Sequence, residues 1–372
     1  MIWLGLYGTV ALAAIWGGYP LLVRALGGLR GEARRVRALD EPTVSIVIAS
    51  AADASAIRSR IIDLLRTCYP GHLVQIVVGL DAARRAASLD QLGGLDPRVE
   101  IVNGDDPGGK AATLNAAVRA TRHEILVFAD TAQRFDPDAI SALVEELREP
   151  ALAAVSGMLE LPGAGGPLNL SEQYWRYERW LRSWEARLHS SVGVTGAIYA
   201  MRRSLWEPLP ARLILDDLYL PMRLVLSGWR IGFTDRALAR DVRRFTAGQE
   251  YRRKVRTLTG ILQVCAWLPA VLSPMRNPIW AQFLFHKLLR LLTPYLAIGA
   301  IAGFVWWGIE AGLATPNGER LLVVTALGFL APCFIPRVRR VVARHVTWGL
   351  ALQSSIVVAT VNGVRGRWDV WS

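Results

Sequence analysis

The residues best suited to chemistry lie between Gly108 and Asp138, in the stretch GGKAATLNAAVRATRHEILVFADTAQRFDPD. Two glycines and Lys110 open a short amphipathic helix, Ala111 to Ala120, which leads into the apolar strand Ile125 to Ala129. That strand ends on Asp130, at the edge where an open α/β sheet usually places its chemistry. The run Val74 to Leu80 reads as another strand and ends in the same way, on Asp81. A cation on one loop and an acid at the next strand's carboxyl end suit a ligand that carries phosphates and a metal. A lone strand-end Asp is more often a turn former, whereas two on one rim favour a nucleotide site.

The elements that must position these residues follow from the flanking pattern. Glu41-Pro42 breaks into Val44 to Ala49, a strand apolar enough to be buried on both faces. A helix is predicted over Ser55 to Arg66, stopped by Tyr69-Pro70-Gly71. Val99 to Val102 supplies a further strand. Strands alternating with helices at this spacing predict a doubly wound, mostly parallel α/β sheet.

The ends of the chain have a different composition. The protein has 372 residues, 52% of them hydrophobic, with a net charge of +12 carried mostly by arginine. Met1 to Val23 has no charged residue and is long enough to cross about 30 Å of hydrocarbon. It lacks the basic start and short apolar core of a cleaved signal. Arg24, Arg30, Arg34, Arg35 and Arg37 follow at once, which puts the amino terminus outside and the next domain in the cytoplasm. Leu291 to Ile309 is a second uncharged stretch, Leu321 to Ile335 a shorter one interrupted by Pro332, and Val346 to Val364 either spans or lies at the interface. The positive charge then matches anionic lipid or phosphorylated substrate, and no nucleic-acid motif accompanies it. Cys68, Cys265 and Cys333 are scattered and odd in number, which supports neither a disulfide framework nor a zinc site.

In order along the chain stand VSIVIAS, IVVGLD, GGKAATLNAAVRAT, ILVFADTAQRFDPDAI, VTGAIYAMRR, LDDLYLPMRLVLSGWRIGFTDRA and RRKVRTLTG. Over about Val44 to Gln263 this series resembles the membrane-bound bacterial branch of the family-2 glycosyltransferases, related to polysaccharide and poly-N-acetylglucosamine synthases. The resemblance implies a cytoplasmic GT-A fold, a nucleotide-sugar donor, Mg²⁺ or Mn²⁺, and inversion at the anomeric carbon. On it, Asp81 falls at the acid that meets the nucleotide base, Lys110 in the segment near the nucleotide, and Asn115 beside it as a helper. Asp130 matches the first acid of the DxD metal motif, but Ala132 stands at its third position, so one carboxylate would hold the cation with help from phosphates. Ala51 is another departure, at a place where Asn-Glu is frequent. Asp216-Asp217 falls at an acidic pair whose second member is the general base, although either residue could merely cap the next helix. Arg253 and Arg256, three apart on one helix face, occupy the place where processive members carry a Q/R-x-x-R-W motif and could clamp the leaving diphosphate or simply bind the leaflet. Thr257 replaces that motif's tryptophan.

A helix rich in Trp, Tyr and Arg is predicted over Asn169 to His189, with Trp180 and Trp184 on one face. Such rings pack in cores, sit at membrane interfaces or stack on sugars. Thr195 to Ala200 reads as a strand in which Gly196 either packs or lets the backbone approach a sugar. With Tyr199, these residues are the candidate acceptor contacts. The expected organisation is a membrane helix over 1–26, a GT-A domain over 40–257, interfacial helices over 258–287 and a membrane region with two or three spans over 288–372. The expected protein is a multi-pass inner-membrane enzyme that moves a sugar to a polysaccharide or lipid-linked acceptor, with membrane lipids and a polysaccharide-export protein as candidate partners. Its rival is a pseudo-glycosyltransferase without activity, a scaffold that the missing second metal acid would allow.

Overall fold

A computed structural model describes residues 2–30, 41–84, 87, 89–162, 170–243, 245–313 and 335–368. Arg34, Arg35, Arg37, Asn169, Cys333 and the stretch 321–334 lie outside the described residues. The chain divides into two compact units. One is made of Val23–Phe245 and Gly260–Phe283 with the last residues; the other is made of Met1–Leu22, Thr246–Thr259 and Leu284–Arg367.

The first of these units is built on an eight-stranded sheet of order β3-β2-β1-β4-β7-β6-β8-β5. β1 (Val44–Ser50), β2 (Val74–Leu80), β3 (Val99–Asn103) and β4 (Ile125–Ala129) run parallel to one another. β1, β2 and β4 are buried almost throughout, as their unbroken Val/Ile/Leu composition requires of strands covered on both faces. β7 (Ile198–Arg202) runs antiparallel to β4, and β6 (Leu152–Glu160) is antiparallel to β7. β6 therefore points the same way as β4, and β8 (Arg230–Asp241) is parallel to β6. The short β5 (Gln133–Phe135) closes the edge against β8. The fold is the expected α/β sheet, mostly parallel on one side of β4 and mixed on the other.

This topology puts four carboxyl ends on one rim: Asp81 after β2, Asp130 after β4, Glu160 at the end of β6 and Asp241 at the end of β8. The rings of Phe128 and Tyr199 stack at 4.4 Å, and the Trp206 ring stacks on Phe128 at 5.4 Å. Such a pair adds about 1 kcal/mol beyond its burial and pins the β4–β7 register next to Asp130. The helix Ala54–Leu64 begins on Asp53, whose side chain accepts from the Ala56 N–H at 2.8 Å.

In the second unit, the amino-terminal helix crosses the helix Thr293–Leu313 through glycines. A Cβ on Gly303 would stand 2.4 Å from the Gly5 nitrogen, and one on Gly8 would stand 2.8 Å from the Leu296 carbonyl. Trp16 donates to the Thr293 hydroxyl at 3.1 Å. Ile2–Leu29 and Trp280–Gly312 are long and apolar enough to cross a membrane, among the described residues. The last segment, expected over Val346 to Val364, is the apolar part of the longer helix Pro336–Val364.

Candidate active site

Gly108 and Gly109 both have φ of +87°, a conformation that side chains rarely tolerate, and they turn the chain from the β3 loop into the helix Lys110–Arg119. Asp81 holds this turn from below. Its Oδ1 accepts from the Ala83 N–H at 2.8 Å and from the Gly109 N–H at 3.1 Å. A Cβ on Gly108 would collide with Ala83 and with that same oxygen. Asp81 thus fixes the glycine turn as a backbone acceptor, a structural task its position at a strand end made plausible.

Lys110 reaches from the first turn of its helix across the rim. Its Nζ lies 3.2 Å from Asp216 Oδ2 and 3.6 Å from Asp130 Oδ1. Burial disfavours its charge, but Asp130, Asp216 and Asp217 outweigh that and raise its pKa above the ordinary lysine value. Asp216 is buried at 5% exposure, whereas Asp217 is partly exposed. Both stand in the first turn of the helix Asp216–Leu226, where the helix dipole favours negative charge. The Tyr199 hydroxyl is buried near the same carboxylates; burial first, then Asp216, Asp217 and Asp130, push its pKa up.

Two glycines make room for Asp217. A Cβ on Gly196 would lie 3.1 Å from Asp217 Oδ2, and one on Gly193 (φ +106°) would lie 3.1 Å from the Asp217 carbonyl. Of the two tasks expected for Gly196, packing and close approach to a sugar, the packing is visible here, against the Asp217 side chain. From the other side, Gly260 brings the helix Ala247–Trp267 against the loop before Asp216, where a Cβ would stand 2.4 Å from Leu215 Cγ. Gln263 of that helix accepts from the Ile214 N–H at 2.8 Å and donates to the Arg212 carbonyl at 3.1 Å.

Asn115 takes part in a contact between distant segments. Its amide nitrogen donates to the Leu209 carbonyl at 2.9 Å and its oxygen accepts from the Leu209 N–H at 2.8 Å. Both ends of the amide are engaged with a loop 94 residues away. Tyr199 is 1% exposed and belongs to the aromatic stack behind the rim. Trp184 carries the Arg187 guanidinium 4.8 Å above its ring and packs beside Gly27, and Trp180 lies against Tyr177. Arg253 and Arg256 belong to the other unit, on the part of the helix before Gly260.

Sequence reasoning missed the far side of Asp130. The Thr131 hydroxyl donates to Ser50 Oγ at 2.9 Å, which ties the tips of β4 and β1 together. Gln133 then donates to Oδ2 of the buried Asp241 carboxylate at 2.9 Å, and Arg243 pairs with both oxygens of that acid, sharing Oδ2 with Gln133. Arg60, fully buried, pairs with Asp63 and lies over the Phe135 ring at 4.2 Å. Among the described residues no three acidic, His or Cys side chains converge as a metal cage. Asp130 offers one partly exposed carboxylate, enough only for a cation that takes its remaining oxygens from a ligand.

An α/β sheet whose parallel half ends in acids around a lysine, continued by an antiparallel β7 and a parallel β6–β8 pair, defines a GT-A glycosyltransferase. The chain belongs to the family described as "Glycosyltransferase like family 2", whose model matches residues 42–260. It is 22% identical over 324 residues to an N-acetylglucosaminyltransferase of Rhizobium meliloti (strain 1021), covering 82% of this chain and 72% of the relative. In fold it is similar to the mannosyltransferase PcManGT from Pyrobaculum calidifontis, solved in complex with GDP-Man and Mn²⁺. That likeness has a TM-score of 0.69 at 20% identity and covers 98% of this chain and 99% of the other.

Proposed function

We propose that this glycosyltransferase takes its sugar from a nucleoside diphosphate sugar and transfers it with inversion, using Asp217 as the general base. The observation that carries this is the convergence of Asp130, Lys110, Asp216 and Asp217 on one rim, with Asp217 left partly open while Asp216 is buried against Lys110. The nucleotide lies toward Asp81, on the β2 side, and the diphosphate meets the turn Gly108-Gly109 and the amino end of the helix that Lys110 begins. Asp130 would hold Mg²⁺ or Mn²⁺, which when bound neutralises charge on the diphosphate. The mannosyltransferase of similar fold, solved with GDP-Man and Mn²⁺, supports this choice. Lys110 adds a fixed positive charge beside Asp130 that would help neutralise the diphosphate, though it supplies no ligand in place of the acid missing at Ala132. Asp217 takes the acceptor hydroxyl's proton as its oxygen attacks the anomeric carbon opposite the departing diphosphate. Arg253 and Arg256 are proposed to bind the released diphosphate or the leaflet.

The two apolar helices and their glycine-mediated crossing support a place at the bacterial inner membrane, with this domain in the cytoplasm and a polysaccharide or lipid-linked acceptor. Asp217→Asn tests the mechanism. It should reduce transfer at least 1,000-fold, on the order expected for loss of a general base, while a bound nucleotide sugar is retained with unchanged affinity. Transfer by the parent enzyme should vanish in chelator and return with Mg²⁺ or Mn²⁺. Near-normal turnover of the Asn variant would place the base elsewhere.

A further inference from the structure

Beside the site, beyond Asp130 on the side away from Asp81, the rim opens into a cavity of 270 Å³. Glu160 and Asp241, from the ends of β6 and β8, line it together with Arg240, Pro162, Trp175 and Arg179. Trp175 and Arg179 stand one helical turn apart on the helix Leu170–Leu188, so they share a face. The volume is just under the roughly 300 Å³ at which pockets begin to hold drug-sized ligands, a size suited to one sugar ring. The cavity adjoins the site through short links: Asp130, Thr131, Ala132, then Gln133, whose amide donates to Asp241 at 2.9 Å.

The lining is fixed and amphipathic. Arg240 is held by Asp136 and, at 3.0 Å, by Glu160, and Asp241 is held by Arg243 and Gln133. Arg179 lines the cavity and is partly exposed, so its guanidinium borders the space a ligand would fill. A pyranose has an apolar C–H face and a girdle of hydroxyls. The indole of Trp175 matches the first, and the exposed Glu160 carboxylate with the Arg179 and Arg240 guanidinium groups matches the second, while the fully covered Asp241 side chain anchors the wall.

We propose that this cavity is an acceptor subsite that binds a pyranose of the glycan one or more units from the reacting hydroxyl, with Trp175 as its platform and Arg179 as its donor. The proposal rests on the transfer reading above only for the word acceptor. The order along the rim gives the direction: nucleotide at β2, diphosphate at β4, acceptor at β6 and β8. It also supplies an aromatic surface where Thr257 provides none, from a residue outside the Trp180 and Trp184 pair.

The test uses the full chain in detergent, with chitobiose, mannobiose and cellobiose as probes of binding by saturation-transfer NMR, and then as acceptors with a nucleotide-sugar panel. At least one probe should bind, Trp175→Ala and Arg179→Ala should each weaken that binding about tenfold, and Trp175→Phe should keep most of it. In turnover the Ala variants should raise the acceptor KM by a similar factor and leave the donor KM and kcat within about twofold. No binding by any probe, or binding indifferent to Trp175→Ala, overturns the subsite. A rise in donor KM instead assigns the cavity to the donor and overturns it as well. Disaccharide binding through Trp175 without any turnover would uphold the subsite and sink the transfer reading.

Discussion

Lys110 ties the two halves of the site together. Its ammonium is the counter-charge of a buried Asp216 and of Asp130, and removing it strands a carboxylate in a water-poor place. Lys110→Met should cost about 3 kcal/mol, the lower end for breaking a buried pair, because Lys110 keeps a quarter of its side chain exposed. The melting temperature in detergent reads this. Adding Asp216→Leu should return much of the loss without returning activity, and additive losses would show that the two residues do not interact. The raised pKa fixes the sign of any pH effect. A lysine raised in the folded state keeps its stabilising charge at every pH below the ordinary lysine range and loses it only above. A fall in rate below pH 7 therefore belongs to other groups.

At the scale of elements, the acids proposed for catalysis are positioned by parts of the chain distant in sequence. The loop before Asp216 is pinned by Asn115 through Leu209, by Gln263 through Ile214 and Arg212, and by the missing side chain of Gly260. Gly260→Leu would drive its side chain into Leu215 and Ile214 and displace the start of the Asp216–Leu226 helix. It should lower kcat by about 100-fold, as a misplacement near 1 Å does, while donor affinity, on the proposal that the Gly108-Gly109 turn sets it, stays within about twofold. An unchanged kcat would show that the loop is positioned from elsewhere. The parallel strands and the Gly-Gly-Lys turn were legible because their residues are neighbours in sequence and their apolar runs are strong. β6 and β8 were not: LAAVSGMLE is rich in weak strand formers, and RIGFTDRALARD carries charges across an otherwise alternating pattern. The tasks of Asn115 and Gly196 were also hidden, since each is defined by a partner brought in by the fold, Leu209 in one case and Asp217 in the other.

For the whole molecule, the remaining question is how far one enzyme carries its product. A polymerising synthase must hold a growing chain at the mouth of its site and pass it through the membrane. Thr257 offers no ring for the first task; it is exposed, and its hydroxyl is turned back onto the Arg253 carbonyl at 2.9 Å. The cavity at Trp175 has room for a single sugar, which suits recognition of a chain end more than passage of a polymer. For the second task the described residues contain two helices able to span, and these cross each other through Gly5, Gly8 and Gly303 with no gap between their backbones. Close backbone contact of this kind joins helices and does not line a pore. The purified chain, given donor and a lipid-linked or short-glycan acceptor, should therefore extend it by one or a few sugars, read by mass spectrometry of the products. Long polymer from the same preparation would refute this, and long polymer only after a membrane partner is added would assign the channel to that partner.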